Sequence, residues 1–126
     1  MFNTPPTYGI YVAKLVFDWL LEKGGIAAQE KENKAKAELL YGFLDNSTIF
    51  EGTARKEDRS LMNVPFVLPT EELNSKFIAD ALAAGFENLK GHRSVGGMRA
   101  SIYNGMPLEG VQALVDFMTK FEAENK

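Results

Sequence analysis

Cysteine is absent from this 126-residue sequence, which excludes disulfides and thiolate metal sites and suits a reducing, cytoplasmic setting. No uninterrupted apolar stretch approaches membrane-spanning length, and no basic region followed by an apolar run opens the chain, so neither a membrane span nor a targeting signal is expected. Excess positive charge is also lacking: the formal net charge is -3, which argues against general nucleic-acid binding. What is present suits one domain with a modest core, because 45% of the residues are hydrophobic. No internal repeat, low-complexity tract or second-domain linker is visible.

The most informative absence is local. Between Glu87 and Glu109 there is no carboxylate, yet the segment holds Lys90, Arg93, Arg99 and His92, the only histidine. A basic island in an acidic chain focuses small anions. Four of the eleven glycines (Gly91, Gly96, Gly97 and Gly105) fall here too, allowing sharp turns and close backbone approach. Guanidinium forks match carboxylate and phosphate oxygens bidentately, so Arg93 and Arg99 suit the two ends of a small dianion. The same residues also describe a solvated turn, and a lone histidine also describes a satisfied surface or core side chain.

Asn3-Thr4-Pro5-Pro6 places polar groups just ahead of a helix expected to start at Pro6 or Thr7. A helix start attracts anions, but two prolines remove two amides, so donors come largely from the Asn3 amide and the Thr4 hydroxyl. An ordinary helix entry reads the same way.

The first helix, Thr7 to Lys23, carries Tyr8, Val12, Leu15 and Trp19 at helical spacing, with Ile10, Phe17 and Leu21 on a second side. It has more apolar surface than a surface element needs, and its surplus face is expected to be exposed in this chain. After Gly24-Gly25, a second helix is expected from Ile26 to Asp45, with Leu39, Leu40, Phe43 and Leu44 inward. Thr48–Glu51 and Leu61–Leu68 read as strands around the charged turn Arg55–Arg59, and Pro65 suggests an edge strand or a bulge. Thr70 caps a third helix with Leu73, Phe77, Ile78, Ala81 and Leu82 as its buried stripe, ending at Gly85. Met98 to Tyr103 reads as a strand, and Pro107 starts a last helix carrying Val111, Leu114, Val115, Phe117, Met118 and Phe121. The expected class is α+β, with helices packed on a small, mainly antiparallel sheet. The lysines of Glu30–Lys36 read as a solvated helical face, with pairs such as Glu30 and Lys34.

Phe2–Thr7 and Gly91–Asn104, extended by Met106–Val111 and Met62–Phe66, resemble the phosphoserine aminotransferases of the class V, fold type I family. The His-Arg then Gly-Gly-Met-Arg pattern carries most of the likeness, which runs in order over essentially all 126 residues. The resemblance implies the small C-terminal domain of such an enzyme, residues 1–126, without the larger region that holds the cofactor lysine.

It further implies pyridoxal 5'-phosphate as cofactor of the full-length enzyme and amino transfer from L-glutamate to 3-phosphohydroxypyruvate. The products are O-phospho-L-serine and 2-oxoglutarate in serine biosynthesis, with a role in pyridoxine biosynthesis in some bacteria. By resemblance, Asn3 and Thr4 reach the cofactor phosphate of the neighbouring subunit of a homodimer. Arg99 grips the substrate α-carboxylate, while His92 and Arg93 recognise the distal phosphate or carboxylate, again across the dimer. No catalytic residue and no metal ligand is assigned to this chain. Transamination needs a Schiff-base lysine, an acid at the pyridine nitrogen and a stacked aromatic ring. The resemblance places all three in the missing region, so the isolated chain is expected to bind no cofactor and to be inactive. Two other readings remain open: a freestanding module binding a phosphorylated amino acid or other small anion, and a structural interaction domain associating through its first helix.

Overall fold

The two prolines ahead of Thr7 set the start of the first element in the computed structural model, which describes residues 2–125. Contacts divide the chain into two compact units, Met1–Glu32 and Asn33–Lys126.

In the first unit, α1 (Thr7–Glu22) begins directly after Pro6, whose carbonyl accepts from the Ile10 N–H at 3.1 Å. No residue of α1 is buried, and Tyr8, Ile10, Tyr11, Phe17 and Leu21 are all exposed, as its excess of apolar residues led us to expect. Lys23 closes the helix, its ammonium 4.7 Å from the Trp19 ring and 2.6 Å from a Glu32 carboxylate oxygen. The next helix, α2 (Gly25–Asn46), runs from the first unit into the second.

The second unit is a three-stranded antiparallel sheet with helices on one face. β1 (Glu51–Gly52), β2 (Asn63–Val67) and β3 (Met98–Ser101) lie in that order, with α3 (Glu71–Ala83) and α4 (Leu108–Glu124) between and after them. Alternation puts Val64 and Phe66 of β2 and Met98 and Ala100 of β3 into one core with Leu40 and Leu44 of α2, Phe77 and Ala81 of α3, and Val111, Leu114, Met118 and Phe121 of α4. Phe77 is the hub: its ring lies 5.1 Å from that of Phe121 and 5.2 Å from that of Phe50, edge to face. Truncating such a ring to alanine costs about 3–5 kcal/mol. The expected α+β class is the class observed.

Four local expectations change. Thr48–Glu51 does not form a strand, because its amides are taken by side chains. Thr48 N–H donates to a Glu122 carboxylate oxygen at 2.8 Å, and Ile49 and Phe50 N–H donate to Ser47 Oγ at 3.3 and 2.9 Å, so pairing starts only at Glu51.

Pro65 lies in the central strand, not at an edge. Its partner Arg99 turns its own N–H away, to Leu89 O at 2.7 Å, so the pair exchanges no backbone bond that proline would forfeit. On the other side β1 pairs no further than Gly52, and the Pro65 carbonyl accepts from Thr53 at 3.2 Å.

Leu82 is 60% exposed, lying off the Phe77–Ala81 stripe. Asn74 takes an inward position instead, accepting from Leu68 N–H at 2.9 Å and donating to Glu71 at 3.0 Å. Lys36 does not belong to a solvated face: it is 0% exposed. Its ammonium donates to the carbonyls of Ile102, Tyr103 and Met106 at 3.2, 2.8 and 2.9 Å.

Candidate anion site

The basic segment folds as a tight turn that ends in β3. Lys90 bridges Met98, and Gly91 N–H donates to Gly97 O at 2.9 Å. Inside this closure the His92 carbonyl accepts from both Val95 and Gly96 N–H, each at 2.9 Å. Backbone passes so close to backbone that a β-carbon on Gly91 would lie 2.2 Å from Gly96 O. Gly97 has φ +62°, and a β-carbon there would meet Val67 Cγ1 at 2.7 Å and Phe66 O at 2.9 Å. These glycines let a short turn project His92 and Arg93 from its tip, where both are exposed. Nδ1 of His92 lies 2.7 Å from Ser94 Oγ and accepts from Ser94 N–H at 3.3 Å.

Arg99, the second residue of β3, stands on the face opposite the core. Ser101 shares that face, as do Asn63, Pro65 and Val67 of β2. Its Nε is covered from solvent without any hydrogen-bond acceptor. A covered guanidinium N–H without an acceptor is costly, and an anionic ligand on this face would relieve that cost. No acidic side chain pairs with Lys90, Arg93 or Arg99 among the described residues, in a chain where Arg55, Lys56, Arg59, Lys76 and Lys120 all have carboxylate partners. Next to Arg99's strand, Asn63 Oδ1 accepts from Ser101 Oγ at 3.3 Å and from Tyr103 Oη at 3.2 Å, which leaves the amide nitrogen of Asn63 as a donor. Nothing in the sequence assigned Asn63 or Ser94 a role. The alternation of β2 and β3 was the available signal for Asn63.

Asn3 and Thr4 belong to the first unit, the other three candidates to the second. Both are exposed, ahead of α1, and beside them Thr7 N–H and Thr7 Oγ1 turn back to Pro5 O at 2.8 and 3.2 Å. The amides of Pro5 and Pro6 being missing, the neutral amide of Asn3 and hydroxyl of Thr4 add side-chain donors that could fit phosphate oxygens.

Among the described residues no cluster of acidic or histidine side chains could hold a metal ion, and no helix is long and apolar enough to cross a membrane. Two cavities, of about 440 and 380 Å³, lie elsewhere, one beside Asp45 and Arg59 and the other between Phe86, Ile102 and Val111. Arg59 makes a two-pronged bond to Asp45, at 2.9 and 2.5 Å, and lies 4.4 Å from the centre of the Tyr41 ring. That bond holds the Asp45 carboxyl down to about 2 and raises Arg59 further. Burial pushes the Tyr41 hydroxyl up, partly offset by Arg59. Arg59 Nε, like Arg99 Nε, is covered from solvent without an acceptor, but Arg59 already has a carboxylate partner within the chain, whereas Arg99 has none among the described residues.

Known proteins resemble the chain along essentially its whole length. The chain is 57% identical over 126 residues to a phosphoserine aminotransferase of Bacillus cereus, covering 100% of this chain and 35% of that protein. To the phosphoserine aminotransferase of Pseudoalteromonas translucida it is 62% identical over 125 residues, covering 99% and 35%. The structure of phosphoserine aminotransferase from Bacillus circulans subsp. alkalophilus superposes with a TM-score of 0.95 at 44% identity, over 99% of this chain and 35% of that one. A PLP-bound phosphoserine aminotransferase from Trichomonas vaginalis gives 0.87 at 43%, over 94% and 34%. The chain thus spans about a third of the length of the curated relatives it matches. Residues 1–114 match the aminotransferase class-V family, and the chain belongs to that family.

Proposed function

We propose that residues 1–126 form the small, C-terminal domain of a phosphoserine aminotransferase and act with a cofactor-bearing domain that this chain does not contain. The observation that carries this reading is Arg99, whose covered Nε lacks an acceptor on a sheet face reached from the basic turn. In this reading Arg99 takes the α-carboxylate of L-glutamate or O-phospho-L-serine. His92 and Arg93 take the distal carboxylate or phosphate. Both substrates carry an anion at each end, so one arginine at each end serves both, and a substrate lacking the second anion leaves Arg93 unpaired.

Asn3 and Thr4 would hold the phosphate of pyridoxal 5'-phosphate, and with His92 and Arg93 they would serve the neighbouring subunit of a homodimer in the cytoplasm. When bound, that cofactor supplies the electron sink and amino-group carrier. This chain's own residues bind and orient anions. Lys36 does not suit the role of cofactor lysine, since three carbonyls occupy the three N–H donors of its ammonium. The exposed apolar side chains of α1 support docking of that helix on the further domain.

A chimera tests the proposal: this chain replaces the matching 126 residues of the Bacillus cereus relative. The chimera should form O-phospho-L-serine from glutamate and 3-phosphohydroxypyruvate, while the isolated chain should show neither turnover nor a borohydride-trappable lysine adduct with pyridoxal phosphate. A folded, cofactor-loaded chimera without that activity, or turnover by the isolated chain, contradicts it.

A further inference from the structure

We propose that Ser94 is a positioning residue that decides which ring nitrogen of His92 carries the proton, and thereby makes His92 a donor toward anions. The inference rests on the reading of His92 as the distal-anion contact. Two groups of Ser94 meet the same ring atom: its hydroxyl lies 2.7 Å from His92 Nδ1, and its backbone N–H reaches that nitrogen at 3.3 Å. The hydroxyl can rotate to donate or accept, but a backbone N–H only donates. Nδ1 therefore presents its lone pair, and the hydroxyl proton joins the amide in pointing at it. In the neutral imidazole one nitrogen donates and the other accepts, so the proton sits on Nε2.

Backbone hydrogen bonds close the turn that holds this contact. The carbonyl of His92 accepts from Val95 and Gly96, and Gly91 is bonded to Gly97 across the base of the turn. Nε2 has no partner among the described residues and lies on an exposed side chain next to Arg93. With the proton on Nε2, the ring offers N–H to a phosphate or carboxylate oxygen, which in its ionised form only accepts. The other tautomer would turn a lone pair toward the anion and set N–H against the Ser94 amide. Ser94 thus fixes the sign of the His92 interaction with a ligand, without touching the ligand.

Because His92 is the chain's only histidine, selective ¹⁵N-histidine labelling gives one imidazole to observe. Long-range ¹H–¹⁵N correlations on the 126-residue chain, at a pH where the ring is neutral, identify the protonated nitrogen. The wild type should show Nε2–H alone, with Nδ1 shifted as a hydrogen-bond acceptor. Ser94→Ala keeps only the longer amide contact at 3.3 Å, so it should weaken the preference, raising the Nδ1–H fraction and moving the Nδ1 resonance toward that of a free imidazole, whereas Ser94→Thr, which keeps the hydroxyl, should restore the wild-type pattern. A merely structural role would not track the hydroxyl in this way. A wild-type proton on Nδ1, or an S94A spectrum indistinguishable from wild type, overturns the proposal. Inorganic phosphate should then perturb Nε2 more than Nδ1 and bind S94A more weakly in proportion to the lost Nε2–H fraction, roughly two-fold where the two tautomers are equal. If the tautomer follows Ser94 but phosphate moves neither nitrogen, the positioning role stands and the assignment of His92 as an anion contact falls.

Discussion

Lys36 donates to the carbonyl of Tyr103 at 2.8 Å, so a fully buried ammonium from α2 ties down the chain just after β3. Two further carbonyls, of Ile102 and Met106, share the same nitrogen. Lys36→Met keeps the length and loses the donors, leaving the buried Ile102 carbonyl and the partly covered carbonyls of Tyr103 and Met106 without this partner. The expected loss is about 3 kcal/mol or more of unfolding free energy, read as a lower urea midpoint at unchanged slope. A midpoint equal to wild type would mean that water replaces the ammonium at no cost.

Two glycines should respond in opposite directions. Gly91→Ala puts a methyl 2.2 Å from Gly96 O, which is backbone and cannot step aside without opening the turn. A loss of about 1–3 kcal/mol follows from the forced backbone shift. Gly42 lies within α2, where a β-carbon meets nothing within 4 Å. Gly42→Ala should stabilise by about 0.5–1 kcal/mol. Thermal melts of the pair decide the matter, and equal shifts of the same sign would contradict the geometry.

Acid should weaken the Asp45–Arg59 contact. The folded carboxyl titrates at about 2, below its ordinary value near 3.8. Its stabilisation is therefore complete above the unfolded value and fades as pH falls from about 4 toward 2. Asp45→Asn should flatten the stability-against-pH curve in that window and leave its shape at higher pH unchanged. An identical slope in wild type and D45N would show that the pair makes no net contribution.

In the chimeric enzyme the two arginines should separate by substrate end. Arg99→Ala should impair glutamate, O-phospho-L-serine and alanine alike, since each presents an α-carboxylate. Arg93→Ala should spare alanine, which has no distal anion, and lower kcat/KM for the two dianionic substrates by about ten- to a hundred-fold, the range for losing a hydrogen bond to a charged group. Equal proportional losses for both variants on all three substrates would sink the assignment.

Start signals and apolar stripes located the beginnings of all four helices to within about one residue: Pro6 before α1, Gly24 before α2, Thr70 before α3 and Pro107 before α4. The basic turn was equally visible, since its charge, its glycines and the missing carboxylates are local properties. Tertiary structure alone decided the rest. Lys36 reads as a surface lysine until the carbonyls it meets, 66 to 70 residues later, are brought to it. Thr48 reads as a strand residue until the Glu122 carboxylate claims its amide from 74 residues away. Pro65 reads as an edge residue until its neighbour Arg99 is seen to direct its N–H elsewhere. The sequence determined which segments are helical and where positive charge collects, because those depend on neighbours along the chain. Which polar groups are buried, which are satisfied and which, like Arg99 Nε, lack an acceptor depends on partners that only folding brings into contact.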